Sequence, residues 1–422
     1  MTLHQDEPPV RLNASWQALL ERFRPDLAPF EVIYRNLHCS PELSGEEAQT
    51  ARTAAAHLST IPGVEVHTQI GGHGVAAVLA NGPGPTLLLR ADMDALPVTE
   101  KTNLPYASAV PDVMHACGHD FHVAALLAAI STLHAARGHW AGTLVAVFQP
   151  AEEHLDGAQA MLDDGLYERV PRPDLVLAQH VTRMRTGTVG LRAGALLTAA
   201  DSFDVRVFGR GGHGSAPQTT VDPVVIGAAI VTRLQSVVAR EVAPGEVAVV
   251  TCGSIHAGTA ANIIPDFLDL QLSLRTDKPA VRTRVVAAVR RIIEAECRAG
   301  GATEVPTITR TSSSPPTVND GATVGRLWGT FEEYFGDRLV EMERPSASED
   351  FSLLATAVGA PYAMWMFGGV DEKSWDEAVE NGTVDELPNN HSPFFAPVIE
   401  PTLRTGVDAM VLGALTFLGK QN

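Results

Sequence analysis

Three apolar runs in the first half of the chain end abruptly in polar clusters: Thr86 to Arg90 runs into RADMDALP, Thr143 to Phe148 into QPAEE, and Leu175 to Gln179 into Gln-His. Short runs of aliphatic and β-branched residues bounded by such clusters read as buried strands. A further strand is expected at Val75 to Ala80, and helical spacing occupies about Gly45 to Ser59 and Val123 to Ala136. This alternation predicts an α/β class: a layered catalytic domain on a central, mostly parallel sheet. Open sheets of that class take ligands outside the carboxyl ends of their strands, where the three polar clusters fall.

The pattern changes near Leu196. Ser202 to Phe208 alternates apolar and polar, Pro223 to Arg240 has helical spacing, Glu246 to Ile255 and Asp266 to Arg275 alternate again, and Ala280 to Arg298 is helical. In that last helix Arg282, Arg284, Arg290 and Arg291 are expected to face solvent. Strand, helix, strand, strand, helix predicts an inserted α+β domain over residues 196–309. TSSSPPTVND, Thr311 to Asp320, is expected to be a loop-rich return linker, since two prolines after three serines sustain neither helix nor central strand. One more helix, a Trp/Met-rich strand at Tyr362 to Phe367 and a helix at Pro401 to Leu418 are expected to finish the first sheet. The main domain is therefore discontinuous, residues 1–195 and 310–422.

With 422 residues, 45% of them hydrophobic, the chain can bury cores for two or three domains. Its 49 acidic and 31 basic residues give a net charge of -18, which repels phosphate backbones and anionic headgroups and argues against nucleic acid and membrane partners. The N-terminal MTLHQDEPPVRLN has neither a basic n-region nor an apolar h-region, and Val123 to Leu133 is too short to span a bilayer. Four cysteines, Cys39, Cys117, Cys252 and Cys297, are scattered without a disulfide framework. A cytoplasmic location is the expectation.

HACGHDFH, residues 115–122, crowds cysteine, histidine and aspartate into a turn before a helix. Thiolate and imidazole together suit soft and borderline metal ions. Taken singly these residues have bland readings, a buried thiol or a surface histidine; the second cluster raises the stakes. Glu152 and Glu153 follow directly on a strand, and metal-dependent hydrolysis needs one carboxylate as ligand and another to move the proton of the attacking water. Neighbouring residues in extended chain point in diverging directions, so the pair can divide those roles. His180 ends the next run, and His391 lies in the polar turn NNHSP. Cys117, His119, Glu153, His180 and His391 are five candidate donors, more than one catalytic ion with an open position needs, so two metals are expected. Asp92 and Asp94 end another strand, where one of them can orient a ligand histidine or the general base, or simply cap a turn. Gly209, Gly211 and Gly214 form a formal GxGxxG, but Pro217 intervenes before any helix, which disfavours a dinucleotide site. There is no GxSxG elbow and no GxxxxGK[ST] loop, and a cysteine nucleophile would leave His391 and Glu153 unexplained.

LHCSPELSGEE, RADMDALP, MHACGHD, QPAEE, GGHGSAP, NIIPD, SEDFS and NNHS, in that order, resemble the aminoacylase/carboxypeptidase metallopeptidase family, in its branch of hippurate hydrolases and indole-acetyl-amino-acid amidohydrolases. The resemblance covers nearly the whole chain. It implies two divalent metal ions, Zn, Mn, Co or Ni, held by Cys117, His119, Glu153, His180 and His391, with Glu152 as general base and acid and Asp94 as the carboxylate behind it. It implies that the insertion is a lid or dimerisation domain of a homodimer, in which His213 assists the active site, typically that of the partner subunit. Asn262 and Arg275 would hold the carboxylate of a small-molecule N-acyl amino acid; an Arg fork matches a carboxylate bidentately. HLDG after the glutamates, a shortened stretch between Tyr106 and Met114, Phe121, and the paired phenylalanines of HSPFFAP depart from the family pattern near the expected pocket and bear on substrate choice.

The implied activity is hydrolysis of the amide bond of N-acyl amino acids. The alternatives are a dipeptidase or carboxypeptidase on the same scaffold, which would need a site for a free ammonium group, and a non-catalytic binding protein that kept the fold. An intact Glu152 beside a full donor set argues against the last.

Overall fold

The computed structural model describes residues 16–345 and 347–420, which fall into two compact units. The larger contains the chain up to Leu196, Val318–Glu343 and the chain from Asp350 onward; the smaller contains Leu197–Thr317 and Arg344–Glu349.

An eight-stranded sheet organises the larger unit, in the order Val64–Ile70, Gly74–Asn81, Gly142–Gln149, Thr86–Asp92, Leu175–Arg185, Tyr362–Val370, Val189–Leu191, Leu339–Glu341. Its centre is parallel: Thr86–Asp92 pairs with both Gly142–Gln149 and Leu175–Arg185, and the latter with Tyr362–Val370. Antiparallel pairings lie toward the margins. The central strands are almost continuously buried, as parallel strands covered on both faces must be. The helices His119–Ala135 and Ile399–Leu418 contribute to that cover, and both are buried on nearly every side, which explains why neither shows a polar face. Leu126, Leu133, Trp365, Met410 and Leu415 belong to this core. Truncating one such leucine to alanine costs about 2–5 kcal/mol.

Register decides what meets at the carboxyl edge. Asp92 pairs with Gln149, Arg90 with Ala178, and Met366 with His180, so Asp92, Gln149 and His180 come level. The strand expected to stop at Gln179 continues to Arg185, which places His180 within it rather than beyond it.

The smaller unit has a four-stranded antiparallel sheet, ordered Ala248–Ala257, Phe267–Thr276, Ala199–Phe208, Thr307–Ser314. Period-two burial puts Phe203, Val205, Leu270 and Leu272 into a core with Ile226, Ile230, Val285 and Ile293 of the helices Pro223–Glu241 and Pro279–Ala299. Among the described residues Pro223–Glu241 alone is long and apolar enough, by length and composition, to cross a membrane, and its Ile226, Ile230, Leu234 and Val237 are packed in this core. Two expectations are corrected. Part of the supposed linker is strand: Thr307–Ser314 pairs with Ala199–Phe208 through a register shift between Arg310 and Ser312. An edge strand needs only one partner, and Pro315 and Pro316 fall just past its end. Nor do all four arginines face solvent. Arg282 donates to both oxygens of buried Asp201, at 2.7 and 2.9 Å, and Arg290 lies over the Phe203 ring, 5.3 Å from its centroid. Arg284 and Arg291 are exposed, paired with Glu246 and Glu241.

Candidate metal centre

Several segments of the larger unit converge at the carboxyl edge of its parallel strands. Thr86–Asp92 delivers Asp92 and, just beyond it, Asp94; Gly142–Gln149 leads into Glu152 and Glu153; Leu175–Arg185 carries His180. Cys117 and His119 flank Gly118 at the start of the long buried helix. Gly118 has φ +82°, and a Cβ there would lie 2.3 Å from Val181 Cγ1, so only glycine lets this turn sit so close to the strand. His391, also at positive φ, is tied to the same turn because its N–H donates to Ala116 O at 2.8 Å.

The expected donors come together. Cys117, His119 and Glu153 offer ligand atoms all within 4.8 Å of one another. His180 Nε2 is 3.5 Å from Cys117 Sγ, and His391 Nε2 is 3.3 Å from Glu153 Oε1. His119 Nδ1–H donates to Asp94 Oδ1 at 3.0 Å and His180 Nδ1–H to the Val181 carbonyl at 2.7 Å, so each ring turns its Nε2 toward the other donors. A partner on the far nitrogen is how proteins fix the tautomer of a metal-binding imidazole. His119 Nε2 and Glu153 Oε1 are both buried without a hydrogen-bond partner. An orphaned buried polar atom costs about 1–3 kcal/mol, a deficit that a cation between these two atoms would remove. Thiol, imidazole and carboxylate together fit a divalent transition ion of the zinc kind.

The protonation states carry the same message. Burial pushes the Cys117 thiol above its ordinary pKa, and the charge of Glu153 adds to the effect. Burial pushes His180 well below the usual histidine range, in the neutral form a ligand requires. For His119 burial acts downward, but Asp92 and Cys117 outweigh it and hold the ring well above its usual value. The neighbouring Cys117 and Glu153 side chains lift His391 to about 10. A cation entering this cluster therefore displaces protons.

Of the two roles open to an aspartate at this strand end, orienting a ligand histidine or the general base, Asp94 shows the first: it accepts from His119, and its Oδ2 accepts the Glu153 N–H at 2.9 Å and the Ser44 hydroxyl at 2.7 Å. Glu152 is buried, with Oε2 3.8 Å from His119 Nε2, almost the same distance as Glu153 Oε1 at 3.9 Å.

Other supports have no counterpart in the expectations. His122 takes the Val181 N–H on Nε2 at 2.9 Å and donates from Nδ1 to Asp92, so both nitrogens are engaged and it braces the site. Arg90, 1% exposed, donates to Gln149 at 2.9 Å and to Asp92 at 2.6 Å, and Gln149 donates to Asp350 at 2.6 Å. Asn390 donates from its amide to the carbonyls of Cys117 and Val181 at 3.3 and 3.1 Å. A charged residue inside a leucine strand was the available signal for Arg90, because a buried guanidinium must find carboxylates. Phe121 is fully buried, its ring tilted against Tyr34 with centroids 4.0 Å apart. Phe395 is buried and Phe394 exposed.

His213, Asn262 and Arg275 lie in the smaller unit. His213 pairs with Ile263 on a two-residue strand, its Nδ1 is 2.8 Å from the Ser215 hydroxyl, and the Asn262 carbonyl accepts the Gly214 N–H at 2.8 Å. His213 and Asn262 are thus neighbours, both exposed. Arg275, on Phe267–Thr276, donates to Ser348 Oγ at 2.8 Å.

Residues 88–392 match the family described as Peptidase family M20/M25/M40. A hippurate hydrolase of Campylobacter jejuni is 39% identical over 340 residues, 79% of this chain and 87% of that protein. Thermostable carboxypeptidase 1 of Saccharolobus solfataricus is 35% identical over 412 residues, 95% of this chain and 100% of that protein. Among solved structures, a dinuclear metal binding peptidase of Bacillus subtilis superposes with a TM-score of 0.72 at 27% identity, covering 95% of this chain and 99% of that one.

Proposed function

The chain belongs to peptidase family M20/M25/M40, and from that premise we propose that it hydrolyses the amide bond of small N-acyl amino acids with Glu152 as general base and acid. It is a metal-dependent amidohydrolase. The observation that carries the proposal is the pair of adjacent carboxylates 3.8 and 3.9 Å from one imidazole nitrogen whose ring is pinned by Asp94. Such a pair supplies one ligand and one base side by side.

Cys117, His119, Glu153, His180 and His391 would hold two divalent ions of the Zn, Mn, Co or Ni group. When bound, these supply Lewis-acid polarisation of the scissile carbonyl and the attacking water. Glu152 takes the proton of that water and delivers it to the leaving nitrogen, a role suited to a buried carboxylate beside the donor set. Asp94 keeps His119 in the tautomer that ligates. Asn262 and Arg275 recognise the substrate's α-carboxylate, and His213 assists from a partner subunit of a cytoplasmic homodimer.

The carboxypeptidase relative supports a second reading, in which a peptide replaces the acyl group. Both substrates end in a free carboxylate, so the two readings differ only on the acyl side. Metal analysis combined with hydrolysis assays on acetyl, benzoyl and long-chain acyl amino acids and on dipeptides separates them. Turnover of acyl amino acids above dipeptides is expected; the reverse preference selects the peptidase, and no amide hydrolysis with both metals loaded rejects both.

A further inference from the structure

Glu47 stands at the N-terminal end of the helix Ala48–Leu58 and is fully buried, 0% exposed, a setting that a carboxylate enters only with partners. Its Oε1 accepts two backbone N–H groups at 2.8 Å, those of Gly45 in its own turn and of Ala151. The second bond reaches across to the residue immediately before Glu152. Ala151 has φ 49°, a left-handed conformation that a residue with a Cβ rarely adopts unless its surroundings impose it. Its carbonyl is held too, because Gly157 N–H donates to it at 3.2 Å, and Gly157 itself admits no side chain, since a Cβ there would lie 1.7 Å from Pro150 O.

On the far side of Glu152 the Glu153 N–H is bonded to Asp94, which in turn accepts the hydroxyl of Ser44. Both residues flanking Glu152 are therefore anchored through their amides to carboxylates, and the 44–47 turn braces both anchors. We propose that Glu47 is a positioning residue for amide hydrolysis: by holding Ala151 N–H it fixes the backbone that aims Glu152. Release of this bond lets Ala151 relax, while Asp94 still holds Glu153. The displacement falls on Glu152 and spares the metal cluster.

The inference rests on Glu152 being the base, so E152Q is measured in the same assay on an N-acyl amino acid that the wild type turns over. The variants are Glu47→Asp, which keeps the charge but shortens the reach, and Glu47→Gln, which keeps reach and an acceptor oxygen. Both are loaded with metal, and metal content, melting temperature, kcat and KM are recorded. Glu47→Asp should lose on the order of 10²-fold in kcat, with KM and metal content near wild type, since a misplaced catalytic group costs rate out of proportion to its shift. Glu47→Gln should recover most of that loss. Wild-type kcat in Glu47→Asp, or an equal loss in both variants with metal retained, overturns the proposal, as does metal loss that accounts for the fall. Should Glu47→Asp fail to fold, Glu47→Gln decides: a folded, metal-loaded Gln variant as slow as E152Q rejects the clamp. Full activity in E152Q instead rejects the base assignment and leaves the Glu47 result to be read on its own metal and KM data.

Discussion

Asp94 accepts the Nδ1 proton of His119 at 3.0 Å through one oxygen and the N–H of Glu153 at 2.9 Å through the other, so one carboxylate orients two members of the metal cluster. Asp94→Asn replaces one acceptor oxygen by a donor, which cannot serve both partners. Metal affinity should fall about 10–100-fold, as is usual when the partner of a ligand histidine is lost. Competition with a chelator of known affinity measures this, and an unchanged constant would show that the pairing is incidental.

Glu152→Gln should reduce turnover on the order of 10²–10⁴-fold while metal content stays near wild type, because the base is lost and the ligands are not. Elemental analysis of the same preparation used for kinetics checks both halves. Comparable activity in the variant refutes the assignment.

Cys117 carries a thiol whose pKa burial has raised, so metal binding must expel its proton, and affinity should weaken as pH falls. Cys117→Ser should bind metal more weakly and release fewer protons on binding, since a hydroxyl is a far poorer ligand. Calorimetry in buffers of different ionisation enthalpy counts those protons. Full occupancy of both metals and an unchanged proton count would make Cys117 structural.

His38 is buried between Asp120, at 2.6 Å, and Glu100, at 3.4 Å, and although burial opposes its charge these carboxylates raise its pKa to about 10. The folded state thus favours the imidazolium. The resulting stability is complete below the unfolded value of about 6.5 and is lost as pH rises toward the folded one. Melting temperature should fall across this window, and His38→Gln should fall less steeply. Parallel curves for the two proteins would remove His38 from the account.

His213→Ala should lower activity without releasing metal if the imidazole donates to the oxyanion formed at the amide carbonyl. If the chain pairs two-fold as proposed, mixing this variant with Glu152→Gln should restore part of the activity through hybrid dimers, in which one site has an intact set. If subunit exchange is verified and no activity returns, His213 works within its own chain or not at all.

Much of this was legible because the chemistry sits where parallel strands stop. RADMDALP, QPAEE and Gln-His announce themselves as polar clusters at the ends of apolar runs, and HACGHDFH stands out as a crowd of cysteine, histidine and aspartate before a helix. The supporting network was harder to read, since its partners are fixed by register and not by spacing. Arg90 meets Gln149 and Asp92 because adjacent strands bring them level, and Gln149 reaches Asp350 from far along the chain. Arg282 looked like a solvent-facing helix residue until the fold set Asp201 beside it. The serines of Thr307–Ser314 read as loop because this strand is largely exposed and its Thr- and Ser-rich sequence carries no apolar alternation.

The sheet order has a consequence for synthesis. Leu175–Arg185 acquires its outer parallel neighbour only when Tyr362–Val370 has emerged, and His391 follows later still. The smaller unit's strands and helices, by contrast, are almost all contiguous from Leu197 to Thr317. A ribosome adding about 5–20 residues per second leaves the apolar edge of Leu175–Arg185 without that neighbour for on the order of ten seconds. During that interval the growing chain carries a parallel strand with one edge still unpaired and a donor set that still lacks His391.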